Sequence, residues 1–455
     1  MKLRCDPVKV LWLFGLVLGS FTYGMAAIQY QIFPYSIVRD AKNALEAHIE
    51  ILSDDREEVE YKDQVKVPTV RSHAGTDGDE LILVSGGNAL GYLKTHNDTG
   101  CMAWLMDRRG DVKHVWTYDP ETWRDLKQVR TVPGVSLHLA PTGLHLYEDG
   151  GLLVNFTGRN TYPPAVGIAR YDRDSNVIWK KELLTHHWFA VADDGRIFVP
   201  AIRIIDAPIP IGKTKGQLRS QSETFKADVI MVLDADGNVL DEISMLDALF
   251  DSGYAGLFQD FAKRSTDVTG EDPLHMNDVR LVGEEFAGNY SWLNAGDLVV
   301  SMRNINAVGI LDPDTRRFKW MISGVTVRQH SPRLYDKGVL MLDNRGGARE
   351  LGGTQLVHVD LERHLPRTLF PVSADLMPDK CYTEMAGHLD LHRDGNRVLM
   401  AVCEQGVVWE VDLRRGSVLW EYIYVHPNED GKREEIETAK YVYNVSFPFN
   451  REGEP

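Results

Sequence analysis

The chain contains little cysteine and none of the common cysteine motifs. Its 455 residues include four cysteines, Cys5, Cys101, Cys381 and Cys403, and no two of them have C-x-x-C spacing. Four cysteines are too few for a disulfide-built scaffold, and without C-x-x-C pairs a zinc or dithiol redox site is not expected. Cys381 and Cys403 leave two interpretations open, a disulfide in an oxidising compartment or two thiols in the core.

Positive charge is also scarce. The chain has Lys+Arg 50 against Asp+Glu 66, a formal net charge of −16 and a pI near 5.4. No cluster of basic residues offsets this charge, so a nucleic-acid partner is not expected.

Common catalytic and metal-binding motifs are missing as well. The sequence has no G-x-S-x-G and no H-E-x-x-H, and Gly212–Thr214 lacks the first glycine of a phosphate-binding loop. Asp234–Asn238 begins like a calcium loop, but Val239 stands where the loop needs glycine. We therefore expect neither a metal ion nor a cofactor.

The N-terminus carries one long run without charge. Val10–Ala27 holds 18 uncharged residues and follows Lys2, Arg4 and Lys9. As a helix this run would measure about 27 Å, close to the roughly 30 Å hydrocarbon core. Residues 1–30 are thus predicted to anchor the chain in a membrane, with the body on the periplasmic or secretory side. The alternative is a signal peptide whose cleavage releases a secreted protein.

Residues 31–79 are predicted to form a helical stalk and linker. Apolar residues from Ile37 to Leu52 recur at helical spacing, and acidic residues follow from Asp54 to Glu60. The apolar stripe could pack on the body or on a second copy of the chain, so a homodimer is one expectation.

A repeated unit dominates the sequence from residue 80 to residue 455. In each copy an apolar residue precedes an aspartate, a short turn follows, and an apolar strand that often ends in tryptophan comes next. The six aspartates are Asp107, Asp172, Asp234, Asp312, Asp360 and Asp412. Six such units of about 50 residues predict an all-β, six-bladed β-propeller, and the aspartates are predicted to form turns. A chance series of hairpins in a β-sandwich is the alternative.

Apolar residues between about 240 and 266 predict a short helical insertion in the propeller. Four tryptophans that end the repeated unit, Trp116, Trp179, Trp320 and Trp420, are predicted to pack between blades. They could otherwise suggest a propeller enzyme with a quinone cofactor.

Histidines recur at one place in the blades. They lie on or just before the strand that leads into the first turn of a blade, and they are His138 or His145, His186 and His187, His275, His330 and His388. The first strand of a propeller blade lines the central channel, so these side chains are expected to converge on the axis. The alternative is that each histidine is a polar residue at the end of its own strand, where its ring makes local hydrogen bonds and has no shared function.

Several short elements resemble the PAPS-independent arylsulfotransferases, a family of exported six-bladed propellers. The resemblance covers about residues 100–425 and lies in the order of four elements. They are H-x-N (His275, Asn277), S-x-R (Ser301, Arg303), Q-H (Gln329, His330) and D-N-x-x-x-x-R (Asp343, Asn344, Arg349). The resemblance implies transfer of a sulfuryl group from a phenolic sulfate ester to a phenol through a sulfated histidine.

The resemblance also implies roles for these residues. His275 and His330 would contact the sulfuryl oxygens or the leaving group, and Arg349 would be the main sulfate clamp, with Arg303 the second. Asn277 would orient His275, while His186 and Asn344 would complete the substrate site. These residue types suit the reaction, because fixed cationic donors stabilise negative charge on three non-bridging oxygens.

The chain departs from the family at one position. The family's nucleophilic histidine comes from a late blade, and its counterpart here falls at Gln405–Trp409, which contains no histidine. His388 is the nearest substitute and is predicted to be the nucleophile. If no nucleophile is present, the chain would be a non-catalytic propeller that binds an anion or acts as a scaffold.

Overall fold

The structure is a computed structural model in which part of the chain is described. The described residues are 7–30, 32–34, 68–73, 78–86, 100–131, 137, 139–158, 161–213, 217–218, 224–258, 271–345, 353–373, 381–384, 386–425, 433 and 435–449. The chain divides into two compact units, Met1–Lys62 and Asp63–Pro455. The predicted stalk falls almost entirely outside the described residues.

The first unit contains a helix of 24 residues, Pro7–Tyr30. None of the helices in the described part of the chain combines the length and the apolarity needed to cross a bilayer. The predicted transmembrane helix is therefore not supported.

The second unit is an all-β propeller of six antiparallel sheets, which we number as blades 1–6. In each blade the innermost strand is given first. Blade 1 contains Thr438–Val442, Leu81–Ser85, Gly100–Met106 and Val112–Tyr118; blade 2 Leu139–Leu146, Leu152–Gly158, Ala165–Tyr171 and Val177–Lys181; blade 3 Ala190–Val191, Ile197–Asp206, Thr224–Leu233 and Val239–Ser244; blade 4 Met276–Leu281, Leu298–Met302, Ala307–Asp312 and Arg317–Ser323; blade 5 His330–Tyr335, Gly338–Asp343, Gln355–Asp360 and Pro366–Phe370; blade 6 His388–Leu391, Arg397–Val402, Val407–Asp412 and Ser417–Ile423.

Both ends of the propeller chain add strands to sheets built from distant sequence. Thr438–Val442 pairs with Leu81–Ser85 and so completes blade 1 from the C-terminal side. Thr69–Ser72, from the predicted linker, pairs with the outer strand of blade 6. These pairings close the ring and leave it without an open end between the last blade and the first.

Six hydrophobic clusters hold the blades together. Each cluster draws most of its buried side chains from two blades adjacent in the ring, and the six clusters fill the six interfaces. A single four-stranded sheet cannot bury both of its faces, so the repeated apolar strands are stable only when they are stacked in this way.

The repeated aspartates form turns, as predicted. All six lie at the end of the third strand of a blade or directly after it, where one carboxylate oxygen accepts hydrogen bonds from two backbone N–H groups of the residues that follow. The pairs of donors are Arg109 and Asp111, Asp174 and Asn176, Asp236 and Asn238, Asp314 and Thr315, Glu362 and Arg363, and Arg414 and Arg415. This local bond explains why the aspartate recurs.

The tryptophans of the repeat join neighbouring blades, as predicted. The indole N–H of each donates to a backbone carbonyl in a turn of the next blade. The pairs are Trp116 with Gly150, Trp179 with Ala235, Trp320 with Leu361 and Trp420 with Arg108. They are part of the ring's structure, so they give no support to a quinone site.

The remaining elements are short. Two-stranded sheets pair Arg130–Thr131 with Thr161–Tyr162 and Ile209–Pro210 with Gln217–Leu218, the helices are Met245–Asp251 and Glu284–Ala287, and 3₁₀ turns occupy Pro120–Trp123, Ala255–Phe258, Arg303–Ile305 and Cys403–Gln405. Part of the predicted insertion at 240–266 is helical, but residues up to Ser244 complete blade 3. Cys381 and Cys403 are buried, and no disulfide joins their sulfur atoms.

Candidate active site

Four histidines and one arginine gather at the end of the ring where the inner strands of blades 4 and 5 begin. We call His186, His187, His275, His330 and Arg303 the imidazole cluster. The ring centroid of His187 lies 5.0 Å from that of His186 and 5.1 Å from that of His275. Three blades contribute to the cluster, so it exists only in the folded propeller.

An unusual crossing brings blade 3 to blade 4. Trp188, next to His187, pairs in parallel with Asp278 on the inner strand of blade 4. On its other side the segment presses against blade 2, where a Cβ added to Gly143 would lie 2.4 Å from the His187 carbonyl oxygen. Glycine at this position therefore lets the two histidines approach His275.

His275 is held by a carboxylate. Its Nδ1 lies 2.5 Å from Oδ2 of Asp272, and its backbone N–H donates to Oδ1 of the same residue. Because the carboxylate is an acceptor, Nδ1 carries the proton and Nε2 presents a lone pair. His275 Nε2 is buried and has no hydrogen-bond partner among the described residues.

His186 and His187 form a pair that is backed by a second carboxylate. Their Nδ1 atoms lie 2.7 Å apart, so one ring donates to the other. His186 Nε2 lies 3.5 Å from Oδ1 of Asp228, a residue buried in the third strand of blade 3. Asp228, His186 and His187 thus form a series along which a proton could be shared.

His330 is oriented by an amide. Its Nδ1 lies 2.7 Å from Oδ1 of Asn344. The Asn344 amide nitrogen donates to the carbonyl oxygens of Thr383 and Ala386, which fixes Oδ1 as an acceptor. His330 therefore donates from Nδ1 and, like His275, has the Nε2 lone-pair tautomer.

Arg303 supplies the positive charge of the cluster. Its backbone N–H donates to the His275 carbonyl, and its Nε donates to the Asn304 side chain. Among the described residues no acceptor binds its two Nη atoms. Burial lowers the pKa of Arg303 to about 10, so the guanidinium remains cationic at neutral pH.

Burial keeps the imidazoles neutral. Desolvation, followed by the charge of Arg303, lowers the pKa of His330 to about 3. Desolvation, followed by the neighbouring imidazoles and Arg303, also lowers the pKa of His187, and desolvation together with Arg303 outweighs the Asp272 carboxylate and lowers the pKa of His275. Although burial opposes ionisation of Asp272, His275 lowers the pKa of this carboxyl to about 2. The cluster therefore contains neutral nitrogen bases beside one fixed cation.

The backbone is strained at the same place. His187 and His275 have φ values of 57° and 49°, in the left-handed region that residues with a Cβ rarely adopt. Such strain costs of order 1–3 kcal/mol at each residue and persists only where surrounding contacts impose it. Its occurrence at two cluster histidines points to a functional constraint.

His388 does not contact the imidazole cluster. Its Nδ1 donates to the Ala439 carbonyl at 3.0 Å, its Nε2 accepts from Arg333 at 2.7 Å, and its ring stacks on Trp188. Both ring nitrogens are therefore occupied and the residue is fully buried. This arrangement argues against the predicted role of His388 as the nucleophile.

Another predicted role also changes. Asn277 donates to the Gln329 carbonyl instead of to His275, so Asp272 is the residue that orients His275. Arg349 lies outside the described residues.

A separate cavity of about 920 Å³ is lined by residues that include Arg280, Arg333, Arg393 and Arg414, and by no residue of the imidazole cluster.

Elsewhere, Cys403, Glu435 and Glu437 are buried with ligand atoms within 4.8 Å of one another. A thiolate and two carboxylates are ligands that zinc accepts. This trio is a set of described residues that could hold a metal ion.

The sequence analysis did not identify Asp228 or Asp272 as site residues. Asp272 had a usable signal, its place three residues before His275 in an irregular segment. Asp228 had no such signal, because it lies within an apolar strand, 42 positions after His186 in the sequence.

Comparison with solved structures finds other proteins of limited similarity. A protein of unknown function from Bacteroides caccae is 12% identical, with a TM-score of 0.46 over 80% of this chain and 99% of that one. TolB from Acinetobacter baumannii is 11% identical, with a TM-score of 0.41 over 80% and 66%. The Dos1 propeller is 12% identical, with a TM-score of 0.39 over 75% and 70%. No curated protein matches the chain.

A family model gives a more specific result. The model of the arylsulfotransferase (ASST) family matches residues 144–425, which is more than half of the chain and spans every member of the imidazole cluster. The chain therefore belongs to the arylsulfotransferase family.

Proposed function

We propose that this protein transfers a sulfuryl group from a phenolic sulfate ester to a phenolic acceptor, without PAPS. The observation that carries the proposal is the imidazole cluster, in which neutral imidazoles and one cationic guanidinium from three blades surround one site. Family membership supports the same reaction class.

The chemistry of the cluster suits a sulfate ester. In the transferring group, three non-bridging oxygens share the negative charge, and they need donors that are already in position. The two Nη atoms of Arg303, which bind no acceptor among the described residues, can donate to two of these oxygens in a bidentate arrangement. The neutral imidazoles around it can accept the proton of an incoming phenol.

Replacing Arg303 by glutamine tests this assignment. We expect Arg303→Gln to lower turnover of para-nitrophenyl sulfate, with a phenol as acceptor, by roughly 10²–10³, the usual cost of losing one preorganised donor. The measurement is release of nitrophenolate at saturating acceptor concentration.

A matched control is Arg124→Gln, because Arg124 is exposed and pairs with Glu121 on the surface. This variant should keep full turnover. Equal activity in the two variants would contradict the role of Arg303, and an inactive wild-type protein with intact folding would favour a binding propeller over an enzyme.

The location of the protein outside the cytoplasm stays a prediction from the basic and apolar N-terminus. Cell fractionation of the full-length chain tests it, and recovery in the cytoplasmic fraction alone would contradict it.

A further inference from the structure

The reaction through a sulfated histidine needs an imidazole nitrogen that attacks the sulfur atom first. Several nitrogens of the propeller are candidates for this nucleophile. His388 has no free nitrogen, since a backbone carbonyl and Arg333 occupy both ring positions. The Nδ1 atoms of His186 and His187 contact each other, and Asp228 faces Nε2 of His186, so in this pair the lone pair lies on His187 Nε2 and the Nδ1 proton of His187 faces a neutral imidazole rather than a carboxylate. His275 and His330 both have the tautomer that presents Nε2 as a lone pair.

Two observations separate His275 from His330. The Nδ1 proton of His275 faces a carboxylate, whereas that of His330 faces the neutral amide of Asn344. Attack through Nε2 turns the ring into a cation, and a carboxylate at Nδ1 stabilises this cation more than an amide does. In addition, His275 Nε2 is buried and has no hydrogen-bond partner among the described residues, so no hydrogen bond has to break before this nitrogen reacts.

We propose that Nε2 of His275 is the nucleophile, and that Asp272 is the positioning residue which fixes its tautomer and neutralises its charge. The proposal rests on the proposed sulfuryl transfer and identifies the residue that carries the intermediate. It differs from the sequence prediction, which placed the nucleophile at His388.

The proposed step is balanced. The Nε2 lone pair forms a bond to sulfur, and the bond from sulfur to the aryl oxygen breaks with its electron pair on oxygen. The phenolate leaves and takes a proton from solvent, while His275 becomes an N-sulfo-imidazolium paired with the Asp272 carboxylate. An acceptor phenol then attacks sulfur and gives its proton to a neighbouring neutral imidazole, which releases it to solvent, and the electron pair of the sulfur–nitrogen bond returns to Nε2.

The test is to trap the intermediate on the full-length protein. Wild-type protein mixed with para-nitrophenyl sulfate without acceptor should release a burst of nitrophenolate equal to the enzyme concentration. After rapid denaturation at alkaline pH, peptide mass spectrometry should find one SO₃ group on His275. An SO₃ group on another histidine, or on none during active turnover, would overturn the proposal.

Variants provide a second measurement. His275→Gln should lose both the burst and the adduct, whereas His73→Gln, which changes an exposed histidine, should keep both. Asp272→Asn should lower kcat by roughly 10²–10⁴, and Asp272→Glu should restore part of it by returning a carboxylate. A purely structural role of Asp272 would instead lower the melting temperature and leave kcat of the folded fraction unchanged.

The two proposals fail in different ways. If folded wild-type protein turns over no aryl sulfate, the proposed function is wrong and this inference falls with it. If the wild type turns over aryl sulfates and His275→Gln retains the burst, sulfuryl transfer stands and only the assignment of His275 is wrong.

Discussion

Replacing Glu410 by glutamine should lower the free energy of unfolding by about 3–5 kcal/mol, the usual cost of removing one partner from a buried ion pair. Glu410 is completely buried on the third strand of blade 6. It accepts two hydrogen bonds from Arg108, at 2.9 and 3.0 Å, and one from the Tyr441 hydroxyl at 2.7 Å. Arg397 adds a contact at 3.2 Å.

The effect should be large because Glu410 joins the two ends of the propeller. Arg108 lies in the aspartate turn of blade 1, and Tyr441 lies on the C-terminal strand that completes the same blade. Without the carboxylate, Arg108 keeps Glu80 as a partner, but the link between the first and last blades is weakened. This link joins residues that are far apart in the sequence. If it fails, blade 1 separates from blade 6, and the apolar side chains between the two blades become exposed to water.

Urea denaturation at neutral pH measures this change. Asp241→Asn is a suitable control, because Asp241 and Arg316 form an exposed pair whose loss should cost at most about 1 kcal/mol. A Glu410→Gln variant as stable as the Asp241→Asn variant would show that the ring closes without help from this network.

Acid should destabilise the protein well before its carboxylates are protonated. Burial, and then nearby cations, lower the pKa of both His145 and His330 to about 3. The same causes hold the pKa of His187 and His388 well below the usual value. In the unfolded chain these four imidazoles return to a pKa of about 6.5.

The sign of the pH effect follows from proton binding. As the pH falls below about 6.5, the unfolded chain takes up protons at these histidines and the folded protein does not, so stability is lost from there down towards pH 3. Each histidine contributes about 1.4 kcal/mol per pH unit in this range. We therefore expect His145 and His330 each to lower the free energy of unfolding by about 2 kcal/mol between pH 7 and pH 5, and His187 and His388 to add to the loss in the same direction.

Urea denaturation at several pH values measures the slope. His145→Asn should make the slope shallower by one proton, because asparagine does not titrate. His73→Gln should leave it unchanged, since His73 is exposed. A free energy of unfolding that is constant from pH 7 to pH 5 would contradict the neutral, buried state of these imidazoles.

The imidazole cluster shows how far sequence reasoning reached at the site. Recurrence at the start of inner strands selected His186 with His187, His275 and His330, the S-x-R element of the family selected Arg303, and the structure brings these five residues together. The same reasoning selected His388, which starts an inner strand as well. Sequence position fixes where a Cα lies in a blade, but contacts such as those of His388 with Arg333 and Trp188 decide whether its ring is free to react.

The sequence by itself determined the architecture, because each blade is specified locally. The aspartate turns and the apolar strands recur in all six units, a tryptophan ends four of them, and together they predict six stacked sheets. Only the tertiary structure decided the chemistry of the site. Asp272 holds the proton of His275 from an irregular segment, and Asp228 faces His186 from another strand. Neither contact belongs to the repeat, so neither leaves a periodic trace in the sequence.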